Sequence, residues 1–209
     1  MFIKFNCCPI EGIIERGIIM EKKIDRRIRK TRKQLQDGFT SLLLEKSIKD
    51  ITVKELCDRV DLNRGTFYLH YKDIYDMAEQ LENELLDQLE NILANHFYDT
   101  IDDSPFPLLL DLFILIKENA SFCTALLGSN GDVTFSNKLK SILREKCFSD
   151  WMELFNSDKA DKFEYFYNFI VYGSTGIIES WLKGGLKESP EEISLIVGEI
   201  ILNGAEIIK

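Results

Sequence analysis

The stretch from Thr52 to Lys72, TVKELCDRVDLNRGTFYLHYK, constrains the fold more than any other, because it encodes two short helices joined by a tight polar turn. Thr52 opens the first helix as a T-x-x-E capping box, its hydroxyl set to cap while Glu55 reaches back. Val53, Leu56, Cys57 and Val60 then recur at i, i+3, i+4 and i+7 and form one buried stripe. Asp61 falls where the chain must turn, and aspartate tolerates the left-handed conformation better than most non-glycine residues. Asn63 caps a second helix expected over Arg64 to Tyr71, about two turns long. Phe67 and Tyr71 point inward; Gly65, Thr66 and Leu69 lie opposite, flanked by Tyr68 and His70. Glycine in a helix costs roughly 1 kcal/mol relative to alanine, so Gly65 on the outer face implies that another backbone approaches closely. A DNA major groove would supply that backbone.

The run from Asp61 to Asp73, DLNRGTFYLHYKD, resembles the recognition segment of the TetR family of transcriptional regulators, whose usual wording is close to G-V-S-x-G-T-F-Y-x-H-F-x-x-K. Two positions depart from it. Asp61 replaces the customary turn glycine, and Ile74 stands where the family often carries a phosphate-binding lysine, a contact Lys72 is expected to take over. The resemblance implies an all-α protein with an N-terminal three-helix helix-turn-helix DNA-binding domain and a helical C-terminal ligand and dimerisation domain. It implies a homodimer on a palindromic double-stranded operator, acting as a repressor. Gly65 and Thr66 would approach bases, Arg64 would reach a guanine, and Leu69 would meet a thymine methyl. Thr52, Tyr68, His70 and Lys72 would hold phosphates beside the capping Asn63, and Arg29 upstream would reach phosphate or an adjacent minor groove. Two rivals share the sequence: an activator or adaptor whose C-terminal domain docks a partner protein, and a helical interaction dimer that binds no DNA.

The net charge of −9 argues against a nucleic-acid partner only as an average. Residues 21–72 hold 14 Lys or Arg against 8 Asp or Glu, whereas residues 73–209 hold 10 against 25. A basic head therefore sits on an acidic body, which repels DNA and leaves the head free to meet it. Lys22 to Lys33 alone carries eight basic residues and one acid, and Arg26, Arg27, Arg29, Lys30 and Arg32 are expected to reach DNA.

Three segments organise the chain. Residues 1–19 are expected to be a disordered or untranslated extension, because the pattern changes abruptly at Met20. Residues 20–72 form the head, beginning with an amphipathic helix whose buried stripe is Ile28, Leu35, Phe39, Leu42 and Leu43. Residues 73–209 form the body, entered by a long helix from Asp73 to about Tyr98 that buries Ile74, Met77, Ala78, Leu81, Leu85, Leu89, Ile92 and Leu93. Ile101 to Pro107 is the clearest loop. Helices follow over Leu108 to Leu127, Phe135 to Phe155, Asp161 to Lys183 and Pro190 to Ile208, with Gly184-Gly185 ending one and Ser189-Pro190-Glu191-Glu192 starting the next.

The wording from Phe169 to Gly184 and from Ser189 to Ile193 is similar to the C-terminal region of a TetR subgroup that includes regulators of dihydroxyacetone-kinase operons. That resemblance implies that the last two helices pair with their mates in a four-helix dimer interface. Its candidate residues are Tyr172, Gly173, Gly176, Ile177, Ser180, Ile193, Ile196 and Ile200.

Catalytic chemistry finds little material. His70 and His96 are the only histidines, and neither a P-loop nor a dinucleotide fingerprint is present, so no enzyme, metal or cofactor is expected. The longest uncharged run, Tyr165 to Ile178, falls short of the roughly 18 residues of a membrane span, and the cysteines show no C-x-x-C spacing. A reducing, cytoplasmic setting follows. The body is rich in aromatics, among them Phe113, Phe122, Phe135, Phe148, Trp151, Phe155, Phe163, Phe166, Phe169 and Trp181, which are expected mainly in the core. A small-molecule inducer or a protein coregulator is implied by the resemblance, without a polar constellation to identify it.

Overall fold

The computed structural model describes the backbone of residues 11–97, 105–128, 133–154 and 160–205, and side chains at 26–96, 105–128, 134–146 and 163–204. Within these the chain forms nine α-helices, one 3-10 turn at Ile48–Asp50 and no strand. The head comprises α1 (Glu11–Glu45), α2 (Val53–Arg59) and α3 (Arg64–Tyr68). The body comprises α4 (Ile74–Phe97), α5 (Phe106–Glu118), α6 (Ala120–Leu127), α7 (Val133–Leu154), α8 (Ala160–Lys183) and α9 (Pro190–Ala205). The backbone of α1 is already helical at Glu11, earlier than the charge pattern from Lys22 suggests. Residues 1–10, Phe148, Trp151, Phe155 and most of the expected loop at 101–107 lie outside the described side chains, and α5 starts at Phe106 with Pro107 in its first turn, where a missing N–H costs nothing.

Two hydrophobic cores result. The first runs without interruption from the head, through Leu35, Phe39, Leu42, Leu56 and Phe67, along α4 from Ile74 to Leu93, and on to Phe122, Leu126 and Phe135. All eight of the α4 positions expected to face inward do so, Ile92 only partly. The second core joins Leu109 and Phe113 of α5, Phe163, Phe166, Ile170 and Trp181 of α8, and Ile193, Val197 and Ile201 of α9. Helix α5 is the wall between them: Leu108 and Leu115 face one core, Leu109 and Phe113 the other. Asn119 breaks the apolar run into α5 and α6, its amide bonded to the Leu115 carbonyl at 3.2 Å. Ile28, expected in the α1 stripe, is 47% exposed, because the head's core begins two turns further on at Leu35.

The helix ends follow from local chemistry. Gly185 at φ +83° and Leu186 at φ 56° close α8, with the Leu186 amide on the Trp181 carbonyl at 3.0 Å. The Trp181 indole, edge-on to Phe113, donates to the Glu188 carbonyl at 3.1 Å and holds this turn against the second core. A complete capping box starts α9: the Glu192 amide donates to Ser189 Oγ at 3.2 Å and the Ser189 amide to the Glu192 carboxylate at 2.7 Å.

Candidate nucleic-acid interface

The head is set on α1 by one close crossing. A Cβ on Gly38 would lie 2.2 Å from Val60 Cγ1, so α1 and α2 meet at a distance only glycine allows. Polar ties flank the crossing: Arg59 on α2 donates to Glu45 at 2.6 and 2.9 Å and to Ser41 at 2.8 Å, all on α1. Lys46 Nζ reaches both oxygens of Glu55 at 2.6 Å. Glu55 is thereby drawn away from the capping box expected of it, and only the Thr52 half forms, with the Glu55 amide on Thr52 Oγ1 at 3.2 Å.

The turn between α2 and α3 has the left-handed residue where the sequence suggests. Asp61 takes φ 52°, and the Leu62 amide bonds the Cys57 carbonyl at 3.0 Å, six residues closing the end of α2. Asn63 then caps α3, its Oδ1 accepting from the Gly65 amide at 2.8 Å. A side chain at Gly65 would bring Cβ to 3.3 Å from that same oxygen. The cap thus supplies an intramolecular reason for glycine at this position. Helix α3 ends at Tyr68 rather than Tyr71, but the Tyr71 amide still bonds the Phe67 carbonyl at 3.0 Å and keeps the turn rigid.

Phe67, fully buried, locks α3 to the core and fixes what faces outward. Arg64, Gly65, Tyr68 and Leu69 are exposed there, with Thr66 and His70 half-buried at the edges. Leu69 is 83% exposed, an apolar tip that only an external contact could cover. Thr52, Asn63 and Lys72 are exposed around this face, and Arg26, Arg27, Arg29 and Lys30 are exposed along α1. Ile74, at the position of the family's lysine, is buried, while Asp76 accepts from the Lys72 amide at 2.8 Å. That amide bond, with Gln80 and the Lys72 charge, holds the Asp76 carboxyl below its ordinary range.

Arg32 does not join the basic face as expected. Its Nε donates to the Tyr71 hydroxyl at 3.2 Å and its Nη2 pairs with Glu84 on α4. Burial pushes the Tyr71 hydroxyl up, against the opposing pull of Arg32. The signal in the sequence is the tyrosine itself, where the family wording has phenylalanine: a buried hydroxyl needs a partner.

A second surface lies on α8 and α9. Tyr165, Phe169, Tyr172, Gly176 and Ser180 point outward at helical spacing, beside Leu195, Ile196, Ile200 and Leu202. Of the expected dimer residues, Tyr172, Gly176, Ser180, Ile196 and Ile200 are exposed and Gly173 is half-buried, and a Cβ on Gly173 or Gly176 would meet nothing within 4 Å. Two expected members belong elsewhere. Ile193 is 6% exposed inside the second core and Ile177 packs against it, because both lie on the inner face of their helix. Phe169, at 60% exposure, is the converse case: an aromatic expected inside that stands outside with Tyr165, Leu195 and Leu202.

Other chemistry is thin. Among the described residues no group of His, Cys, Asp and Glu could hold a metal, and no helix is long and apolar enough to cross a membrane. Cys57 and Cys123 are buried, and burial pushes the Cys123 thiol up to about 12, far from a reactive thiolate.

Residues 103–203 match a family described as the C-terminal region of TetR-type transcriptional regulators. The chain is 23% identical over 171 residues to the uncharacterised HTH-type transcriptional regulator YxbF of Bacillus subtilis, a match covering 80% of this chain but only 44% of that protein. In fold it is similar to the dihydroxyacetone kinase operon activator DhaS (TM-score 0.54, 16% identity, 86% of this chain and 98% of that one). A TetR transcriptional regulator from Streptococcus agalactiae is equally similar (TM-score 0.55, 20% identity, 87% and 98%). With its buried-phenylalanine recognition turn and all-helical body, the chain is thus similar to TetR-type transcriptional regulators, in sequence over residues 103–203 and in fold over most of its length.

Proposed function

We propose that the chain is a cytoplasmic, ligand-responsive homodimeric repressor that binds a palindromic operator. The observation that carries the reading is the face of α3: Phe67 anchors it from within, while Arg64, Gly65, Tyr68 and Leu69 are turned to solvent. Each α3 would enter a major groove, with half-sites roughly 34–36 Å apart. Arg64, Gly65, Thr66 and Leu69 read bases; Thr52, Tyr68, His70, Lys72 and Arg29 hold backbone, with Asn63 fixing the helix start. The outward apolar face of α8 and α9 supports the homodimer, since such a face on a lone protomer would be left in water. An effector bound in the body would change the spacing of the two heads through α4, whose residues share one core with α2 and α3.

The test is binding of the purified protein to the DNA flanking its own gene at two salt concentrations. Tyr68→Ala should weaken binding to all sequences alike, and Arg64→Ala should relax preference at one operator position. Identical sequence profiles for wild type and Arg64→Ala would refute the base-reading role. Weak, salt-labile binding with no preferred site would sink the regulator reading itself.

An activator is the second reading, favoured by the likeness to DhaS, which is named an activator. A promoter fusion measured with and without the gene separates the two: expression rising on deletion supports repression, falling supports activation.

A further inference from the structure

We infer that Arg32 is a positioning residue that sets how α3 is presented, by clamping Tyr71 at the end of the recognition turn to Glu84 on α4. The inference rests on the DNA-binding reading of α3. Tyr71 is 2% exposed and tied through its amide to Phe67, so its ring moves with α3 as one body. Its ring packs on Phe67, centroids 5.6 Å apart, which leaves the hydroxyl as its one outward handle. Arg32 takes that handle with Nε and, on the same rigid plane, turns Nη2 to Glu84. One guanidinium thus joins α1, the recognition turn and the helix that leads into the body. A change in the tilt of α4 against α1 would reach α3 through it.

The clamp needs the fork of an arginine. A lysine is a compact charge with no fixed second donor and cannot hold the same two directions. It also differs from a phosphate contact in sign. If Arg32 met DNA directly, removing the competing Glu84 carboxylate would release it and tighten binding. If Arg32 positions α3, losing Glu84 loosens the clamp and weakens binding, although a negative charge has been removed.

The probe is a duplex enriched from a random-sequence library by the full-length wild-type chain. Arg32→Lys, Tyr71→Phe and Glu84→Gln are compared with it for affinity across a salt series and for melting temperature, with Arg27→Gln as a charge control. Each clamp variant should bind about tenfold more weakly, the scale of coupling within one polar network. Their salt dependence should run parallel to wild type, whereas Arg27→Gln should flatten it by loss of a phosphate contact. Tyr71→Phe removes one oxygen and restores the phenylalanine of the family wording, so it is the variant that keeps the fold. Wild-type affinity in Arg32→Lys, or equal or tighter binding by Glu84→Gln, overturns the positioning role while leaving the DNA reading intact. Failure of the wild type to enrich any duplex overturns both.

Discussion

The first core and the second core are built from similar amphipathic helices, yet their outer surfaces differ. Around the first, the ends of α1 and α2 carry ion pairs, Arg59 with Glu45 and Lys46 with Glu55, and exposed apolar side chains are scattered singly, Ile28, Leu44 and Tyr75, apart from Tyr68 and Leu69 at α3. Around the second, the helices that bury Phe163, Phe166, Val197 and Ile201 expose Tyr165, Phe169, Tyr172, Ile196 and Ile200 on their opposite faces. A helix apolar on both sides belongs inside something larger. The outer surface of the head is mainly polar and charged, whereas α8 and α9 leave an apolar face in water, the face on which the proposed homodimer rests.

The largest effects should come from the centres. Phe163→Ala, at a fully buried site of the second core, should cost about 3–5 kcal/mol, and Phe39→Ala in the first a similar amount. Hydrogen exchange separates the cores: Phe163→Ala should accelerate exchange in α8 and α9, and Phe39→Ala in α2, α3 and α4. Equal acceleration everywhere by both would show one cooperative unit and remove the distinction.

Next comes the crossing of α1 and α2. Gly38→Ala should destabilise by about 1–3 kcal/mol in urea unfolding, because the new methyl overlaps Val60. Adding Val60→Ala should recover part of that loss. If the single change is neutral, the helices can separate without cost and the head is looser than its contacts indicate.

How much of this was legible in the sequence depended on distance along the chain. The left-handed Asp61, the Asn63 cap, the Ser189 box and the inward stripe of α4 involve residues a few positions apart, and local rules reach that far. Gly38, Arg32 and Glu55 were misjudged or missed because their partners, Val60, Tyr71 with Glu84, and Lys46, are set by how helices cross. Ile177, Ile193 and Phe169 show the same limit: periodicity separates the two faces of α8 and α9, but with apolar residues on both it cannot say which face turns inward. The outward face of α3 was legible because Phe67 alone turns inward among near neighbours that are exposed or half-buried, a pattern confined to one turn.

The complete box at Ser189 and the single cap bond at Thr52 offer a smaller test. Ser189→Ala breaks a reciprocal pair and should cost about 1 kcal/mol of stability. Thr52→Ala breaks one bond only, since Glu55 stays with Lys46, and should cost less in urea unfolding while weakening DNA binding more. A Thr52→Ala protein less stable than Ser189→Ala would mean that the head, not α9, depends on its cap.

The smallest effect is in acid. Arg59 holds the Glu45 carboxyl below its ordinary range in the head, and Arg144 does the same for Glu164 between α7 and α8. A carboxyl whose value is lower folded than unfolded adds stability above the unfolded value, roughly pH 4.3, and loses it as pH falls through the folded one. Both pairs are exposed and screened by salt, so each contribution is small and fades at high ionic strength. Urea midpoints followed from pH 6 to pH 3 should fall less steeply in Arg144→Gln and in Arg59→Gln than in wild type. If covering by a second copy removes α8 from water, the Arg144 pair should become less sensitive to salt than the Arg59 pair. Equal salt sensitivity would place Glu164 outside the covered face and confine the contact to the stripe from Tyr165 to Ser180.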